Sequence, residues 1–259
     1  MKRGLRRDEA AADRVAYAPP EAWRDDEVLL ADAEHHHLSR VLRFDAGDEI
    51  TIVDGEGGRG VFRIAEVGKR TTRCVLLAAD PREAPPRIAI ELAPCVTRAQ
   101  RMDWLIEKAT ELGVTAIWPV LAERSIVKAR AGGDAAHTER WERLAIAAMK
   151  QSRRASKPRV SAPRSLARFL AERTEESRLI VPWERAPTGA LGAYFKSCPM
   201  RAGDRATLLI GPEGGLSDAE VESLRAAGGQ TVSLGASILR AETAAVAMLA
   251  ILRYEGGDI

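Results

Sequence analysis

Thr207-Leu-Leu-Ile-Gly-Pro-Glu-Gly-Gly-Leu-Ser217 and, shortly after it, Leu234-Gly-Ala-Ser-Ile-Leu-Arg-Ala-Glu-Thr-Ala244 decide how the chain is to be read. Each segment carries an apolar strand into a glycine-bearing loop, and a helix begins at once. Glycine has no Cβ to hold a ligand away from the backbone, and it tolerates positive φ. Two such loops at the ends of two strands are expected to wall one small-molecule pocket. Ser217 with Glu220 three residues on has the spacing of a capping box, which alone explains the serine. A cap does not require Gly211-Pro-Glu-Gly-Gly215 before it, and Glu213 places a charge in a crowded loop beside an apolar strand.

Upstream of these loops, strands and helices alternate. Ile88-Ala-Ile-Glu-Leu reads as a strand, and Met102, Leu105, Ile106, Ala109 and Leu112 follow at helical spacing, with Gly113 placed to end the helix. Val114 to Leu121 reads as the next strand, and Trp141, Leu144, Ala145, Ala148 and Met149 mark one face of another helix. Leu179-Ile-Val, Leu208-Leu-Ile and Thr231-Val-Ser-Leu are further strands. This alternation predicts an α/β domain with a mostly parallel sheet and helices on both faces. Ligands of such sheets sit beyond the carboxyl ends of the strands, where both glycine loops fall.

The N-terminal part differs. Glu49-Ile-Thr-Ile-Val-Asp, Gly60-Val-Phe-Arg-Ile-Ala-Glu-Val and Thr72-Arg-Cys-Val-Leu-Leu are β-rich runs with turns between them, suited to a small barrel. Asp80-Pro-Arg-Glu-Ala-Pro-Pro86 is a proline-bearing connector. The expected organisation is therefore a β-domain over 1–80, a linker over 81–87 and an α/β domain over 88–259.

Composition narrows the class. The chain has 259 residues, 46% hydrophobic and 29% charged, an ordinary globular balance with a net charge of +2. Cys74, Cys95 and Cys198 are far apart and in no CxxC spacing, which fits reduced thiols in a cytosol. The start Met1-Lys-Arg-Gly-Leu-Arg-Arg-Asp has no apolar stretch behind it, and the longest apolar run, Ala244 to Leu252, is short for a membrane span. A soluble, cytoplasmic protein is expected, without membrane or metal partners. His35-His-His37 lacks the Cys/His partners of a metal site. Gly55-Glu-Gly-Gly-Arg-Gly60 matches GxGxxG, but an alternating strand follows it instead of a helix, so it reads as a hairpin turn. GxxxxGK[ST] and Gly-x-Ser-x-Gly are absent, so neither a nucleoside triphosphate nor a serine-triad hydrolase is indicated. Lys150, Arg153, Arg154, Lys157, Arg159, Arg164 and Arg168 form a tract without an acid between them, which suggests a polyanionic partner.

Leu209-Ile-Gly-Pro-Glu-Gly-Gly-Leu-Ser217 and Leu234-Gly-x-x-Ile-Leu-Arg-x-Glu-Thr-Ala244 together resemble the cofactor loops of the SPOUT methyltransferases. They are most similar to those of the bacterial 16S rRNA uridine N3-methyltransferases of the RsmE type. Glu107-Lys-Ala-Thr-Glu-Leu-Gly113, Glu123-Arg-Ser-x-x-Lys128 and His37-Leu-Ser-Arg-Val-Leu-Arg43 stand in that family's order, and the likeness runs from about Arg14 to the end. The residues before Arg14 carry no motif.

The resemblance implies a C-terminal strand and helix threaded into a trefoil knot, a PUA- or OB-like barrel in front, and a homodimer. General rules of chain topology would not predict a knot. It also implies S-adenosylmethionine as cofactor, held by the backbone of Leu209, Ile210, Gly211, Pro212, Glu213, Gly214 and Gly215, with Thr243 nearby. Leu234, Gly235, Ile238 and Leu239 would complete the adenine side. The reaction implied is attack of a uridine N3 on the sulfonium methyl. Arg240, or Arg124, would stabilise negative charge on the base, and Glu213 or Glu242 would accept the N3 proton. Glu242 also suits the first turn of a helix for reasons of dipole alone. For 16S rRNA in the 30S subunit, the implied contacts are His37, Arg40, Arg43, Lys128, Lys150, Gln151, Arg153 and Arg154. Lys150 stands where the family usually carries an acid. The alternatives are a non-catalytic ribosome assembly factor on the same fold, or a relative methylating another RNA position.

Overall fold

The computed structural model describes residues 14–125 and 134–259. The chain divides into two compact units, one of residues 1–85 with 146–157, the other of 86–145 with 158–259. Among the described residues no helix is long and apolar enough to cross a membrane.

The first unit is built from β1 (Val15–Tyr17), β2 (Trp23–Arg24), β3 (Glu27–Ala31), helix α1 (Asp32–His36), β4 (Glu49–Val53), β5 (Arg59–Val67) and β6 (Thr71–Ala79). The short strands expected to close a small barrel form one six-stranded sheet in the order β1-β4-β5-β6-β3-β2, with no ladder joining β1 to β2. Alternation sets its inner face: Val28 and Leu30 of β3 are buried, while Glu27, Leu29 and Ala31 point out. Those two join Ile50, Ile52, Phe62, Ile64 and Cys74 in one core. Of the stretch Gly55–Gly60, residues 55–58 lie in the hairpin connection between β4 and β5 and Arg59 and Gly60 open β5, with Asp54 Oδ1 accepting from the backbone N–H of Glu56 and of Gly58 at 2.7 Å each. That turn is pinned in the same unit by Ala155–Lys157, through Lys157 N–H to Gly55 O at 3.0 Å and Gly57 N–H to Ala155 O at 3.1 Å.

The second unit follows the expected α/β alternation. Its elements are β7 (Ala89–Pro94), α2 (Ala99–Glu111), β8 (Ala116–Ile117), β9 (Val120–Leu121), α3 (Asp134–Gln151), β10 (Arg159–Val160), β11 (Arg164–Ser165) and α4 (Leu166–Glu172). After these come β12 (Arg178–Pro182), α5 (Ala190–Ser197), β13 (Arg205–Ile210), α6 (Asp218–Ala226), β14 (Gln230–Val232) and α7 (Ala241–Glu255). Helix α3 contributes its residues from Ile146 onward to the first unit.

Six strands pair in the order β10-β8-β7-β13-β12-β14, and every ladder is parallel. Both faces are covered, which is why these strands read as apolar runs. Along β13 the period of two is explicit: Ala206, Leu208 and Ile210 enter one core with Met102, Ile106, Met248 and Leu249 from α2 and α7. Leu209 enters the other, with Phe169, Val221 and Leu224 from α4 and α6. The stretch Val114–Leu121, expected to be one strand, is two. Proline has no N–H to give a ladder, and at Trp118-Pro119 the chain leaves the main sheet, so that β9 pairs with β11 apart from it.

One polar spot interrupts the sheet. Glu91 of β7 is 4% exposed, accepts from Arg205 Nη2 at 3.2 Å and from Thr207 Oγ1 at 3.5 Å, and Thr207 in turn meets Ser177 Oγ at 2.7 Å.

Candidate active site

At the carboxyl ends of β12, β13 and β14 lies a cleft of about 450 Å³, lined by Pro182–Glu184, Ile210–Leu216, Ser233–Ala241, Ala244 and Arg101. This volume falls within the range of sites for drug-sized ligands. Of the residues expected to hold the cofactor, Ile210, Gly211, Pro212, Glu213, Gly214, Gly215, Leu234, Gly235, Ile238 and Leu239 line it. Leu209 and Thr243 do not: the Leu209 side chain is fully buried in the α4–α6 core, and Thr243 is exposed on α7.

The first wall leaves β13 as a tight turn, Pro212 O accepting from Gly215 N–H at 2.9 Å, with Gly215 at φ +71°. It is fixed from both ends. Ser217 and Glu220 form the full capping box of α6, Ser217 Oγ accepting from Glu220 N–H and Glu220 Oε2 accepting from Ser217 N–H. The other oxygen of Glu220 accepts from Glu123 N–H at 2.7 Å, so one carboxylate ties the Glu123-Arg124 turn to the glycine loop. Arg124 then donates from Nη1 to Gly214 O at 3.2 Å. A Cβ at Gly214 would stand 3.2 Å from Arg124 Cβ, so the glycine permits that approach.

The second wall is braced by Ser233, whose Oγ accepts from Gly235 N–H at 3.3 Å. Gly235 has φ +114°, and a Cβ there would meet no atom within 4 Å. Its requirement for glycine is therefore conformational, and the space beside it is open. Ile238, a large apolar side chain, is 87% exposed on this loop.

Charge is arranged around one residue that sequence patterns did not single out. Arg101, in the first turn of α2, lines the cleft and donates from Nη1 to Glu213 Oε1 at 2.9 Å. Its Nε stands 4.0 Å from Glu242 Oε1. Glu213 lines the cleft, whereas Glu242 is not among the lining residues and keeps Oε2 buried without a hydrogen-bond partner. Arg240, the N-cap residue of α7, lines the cleft and is exposed, with no ion pair among the described residues. Nothing in the local sequence links Arg101 to Glu213, since 112 positions separate them. Behind the cleft, Cys95 donates its backbone N–H to Ile210 O, and burial, with the Glu220 charge adding to it, pushes its thiol well above the usual range.

The residues expected to contact RNA fall in the first unit, except Lys128, which lies outside the described residues. His37 opens a π-helical turn, His37–Val41, a geometry frequent at functional positions, and is exposed together with Arg40 and Arg43. Arg43 adopts φ +54°, and Arg153 φ +57°. Gln151 and Arg153 are exposed and Arg154 is half-buried. Lys150 is ion-paired with Glu34, a contact that no local pattern announces. No group of three or more His, Cys, Asp or Glu side chains is placed to hold a metal ion among the described residues.

The RNA methyltransferase domain model matches residues 84–253, and the RNA methyltransferase PUA domain model matches residues 30–77. The chain belongs to this RNA methyltransferase family. It is similar to the ribosomal RNA small subunit methyltransferase E of Bacillus subtilis, 32% identical across 87% of this chain and 89% of that protein. The enzyme of the same name from Synechocystis is 34% identical across 89% of this chain and 74% of its own length. Among solved structures, the ribosomal RNA small subunit methyltransferase E of Neisseria gonorrhoeae bound to S-adenosyl methionine superposes with a TM-score of 0.81. That pair is 31% identical and covers 93% of this chain and 97% of the other.

Proposed function

We propose that this protein transfers the methyl group of S-adenosylmethionine to N3 of a uridine in the 16S RNA of the small ribosomal subunit. The observation that carries this reading is the cleft itself, with two glycine-bearing walls at the carboxyl edge of a parallel sheet and Arg240 at its mouth. Relatives named for small-subunit rRNA methylation and a neighbour bound to S-adenosyl methionine support the substrate and the cofactor.

The residues fit the cofactor. Gly214 and Gly235 keep Cβ atoms out of the two walls, and the exposed Ile238 is an apolar surface that a ligand or a partner would cover. When bound, S-adenosylmethionine supplies an electrophilic methyl on a sulfonium. Around it Gly211–Gly215 offer backbone N–H and C=O groups, and Leu234, Ile238 and Leu239 an apolar lining.

The uridine N3 must lose a proton to act as nucleophile. Glu213 accepts that proton: it lines the cleft, and Arg101 holds its carboxylate in place at 2.9 Å. Glu242 lies behind, as the second carboxylate steadying Arg101. Arg240, free of an ionic partner among the described residues, stabilises the negative charge that develops on the uracil oxygens. Arg124 shapes the loop through Gly214 O. The knot of the C-terminal segments, the homodimer, the cytoplasmic location, and the division into an RNA-binding domain over 1–80, a linker over 81–87 and a methyltransferase domain over 88–259 belong to the same proposal. Trp104 at 42% and Tyr254 at 69% exposure, on α2 and α7, are apolar surface of the kind a dimer covers.

Small subunits from a strain lacking the modification test the reading. Incubation with the purified protein and methyl-labelled S-adenosylmethionine should place label in 16S RNA. Binding of small subunits with no label transferred would favour the assembly-factor alternative instead.

A further inference from the structure

The basic tract that sequence composition marks as a single run is divided by the fold. Lys150, Arg153, Arg154 and Lys157 belong to the first unit, whereas Arg159, Arg164 and Arg168 belong to the second. In the second unit two of these arginines, Arg159 and Arg164, converge on one aromatic ring. The Arg159 guanidinium carbon lies 5.1 Å from the Trp118 ring centroid, and that of Arg164 lies 4.5 Å from it. Arg164 and Arg168 share a single carboxylate, Glu172. Two guanidinium groups therefore face one acid.

The groups are not equally free. Arg164 is the fixed member, with 10% side-chain exposure and a buried Nε that has no hydrogen-bond partner. Burial holds its pKa below the ordinary value; Glu172 raises it, and the charges of Arg168 and Arg159 lower it again. The cluster is thus short of negative charge. Arg159 is exposed and Arg168 has 68% side-chain exposure, so both can reach a ligand in solvent.

Position supplies the rest. Trp118 leaves the carboxyl end of β8, the sheet edge from which Gly211 leaves β13 and Ser233 leaves β14. β8 is two places from β13 in the sheet, roughly 10 Å at the usual strand spacing.

We infer that Arg159 and Arg164 over Trp118, with Arg168 joined to Arg164 through Glu172, form a phosphate-binding surface for the RNA flanking the target nucleotide, on the methyltransferase unit itself. Trp118 and Arg164 hold the surface rigid, and Arg159 and Arg168 make the contacts. Guanidinium groups stacked on an indole keep their N–H edges directed outward for phosphate oxygens. This inference rests on the RNA methyltransferase reading above.

The test is the doubly substituted full chain, Arg159→Glu with Arg168→Glu, beside Arg159→Lys with Arg168→Lys. The readouts are methyl transfer to unmodified small subunits at several salt concentrations, Kd for S-adenosylmethionine, and sedimentation. The glutamate pair should raise KM for small subunits at least tenfold, leaving kcat and the cofactor Kd within twofold of wild type. Its logarithmic salt dependence should be shallower by about 1.4, from roughly 0.7 per lost phosphate on single strands. The lysine pair, which keeps the charge, should recover most of the KM. An unchanged KM and salt slope in the glutamate pair would overturn the inference while leaving the enzymatic reading intact. A changed oligomeric state with unchanged KM would identify a protein–protein face and overturn it as well. A wild-type protein that methylates no RNA would remove both.

Discussion

Arg101 Nη1 donates to Glu213 Oε1 at 2.9 Å, joining helix α2 to the glycine loop that walls the cleft. The same guanidinium stands 4.0 Å from Glu242 at the start of α7, so one side chain orders a carboxylate in each loop segment. The Arg101 side chain is 38% exposed, and an ion pair this open contributes little to folding. Its consequence is therefore expected in catalysis. Arg101→Ala should lower kcat/KM by about 10- to 100-fold, which is about 1.4–2.8 kcal/mol of transition-state stabilisation. The melting temperature should move little. Arg101→Lys should retain more activity than the alanine variant. Steady-state methylation kinetics with thermal melts check both statements.

Two glycines with equally open surroundings should respond in opposite directions. A Cβ on Gly235 or on Gly192 would meet no atom within 4 Å, but Gly235 has φ +114° whereas Gly192 lies in the helix Ala190–Ser197. Gly235→Ala should cost about 1–3 kcal/mol of stability through backbone strain and weaken S-adenosylmethionine binding. Gly192→Ala should stabilise by about 0.5–1 kcal/mol. Urea unfolding measures the first quantity and calorimetric titration the second. Equal effects of the two substitutions would contradict the conformational explanation.

The buried carboxylate of Glu91 depends on Arg205. Removing one partner of such a pair leaves a charge in the sheet without compensation, at a typical cost of 3–5 kcal/mol. Arg205 is 44% exposed at its side chain, so water offsets part of this, and about 1–3 kcal/mol is expected for Arg205→Ala. Glu91→Gln, which removes the charge but keeps the Thr207 contact, should be the milder change. Denaturant titrations of both variants give the order.

Thiol chemistry should separate the three cysteines. Burial pushes the Cys74 thiol up to about 12 from 9.0, and burial with the Glu220 charge moves Cys95 in the same direction. Cys198 is exposed. At neutral pH a disulfide reagent should therefore titrate Cys198 rapidly in the native protein, and all three only after unfolding. The sign for stability follows: the two buried thiols stay protonated when folded but ionise when unfolded. Their contribution is complete below about pH 9 and is lost as pH rises toward 12. Replacing Cys74 with alanine should flatten that alkaline decline.

The parts of the fold that local chemistry determines were legible in the sequence. Gly211–Gly215 and Gly235 announced the two walls because glycine is the residue that such turns and approaches require. Ser217 and Glu220 announced the helix start through their spacing. The break at Pro119 was readable in principle, since proline at mid-strand argues against one strand, but the apolar run Val114–Leu121 masked it. Arg101 and Glu91 were not legible. Each acquires its role from a partner more than a hundred positions away, Glu213 and Arg205, and no periodicity encodes such a meeting. The basic tract misled in the same way, because a run of charge does not reveal where the chain passes from one unit to the other. Lys150 looked free for phosphate and is instead paired with Glu34.

The chemical identity of the methylated nucleoside is the most direct test. Unmodified small subunits would be treated with the wild-type protein and with Arg240→Ala, and the 16S RNA digested for mass spectrometry against authentic standards. The expected product of the wild type is 3-methyluridine. Arg240→Ala should form the same nucleoside about 100- to 1,000-fold more slowly with its S-adenosylmethionine affinity retained, as for loss of an oxyanion donor. A methyl group on ribose or on another base atom, or full activity without Arg240, would contradict the assignment of the cleft to a uridine N3 nucleophile.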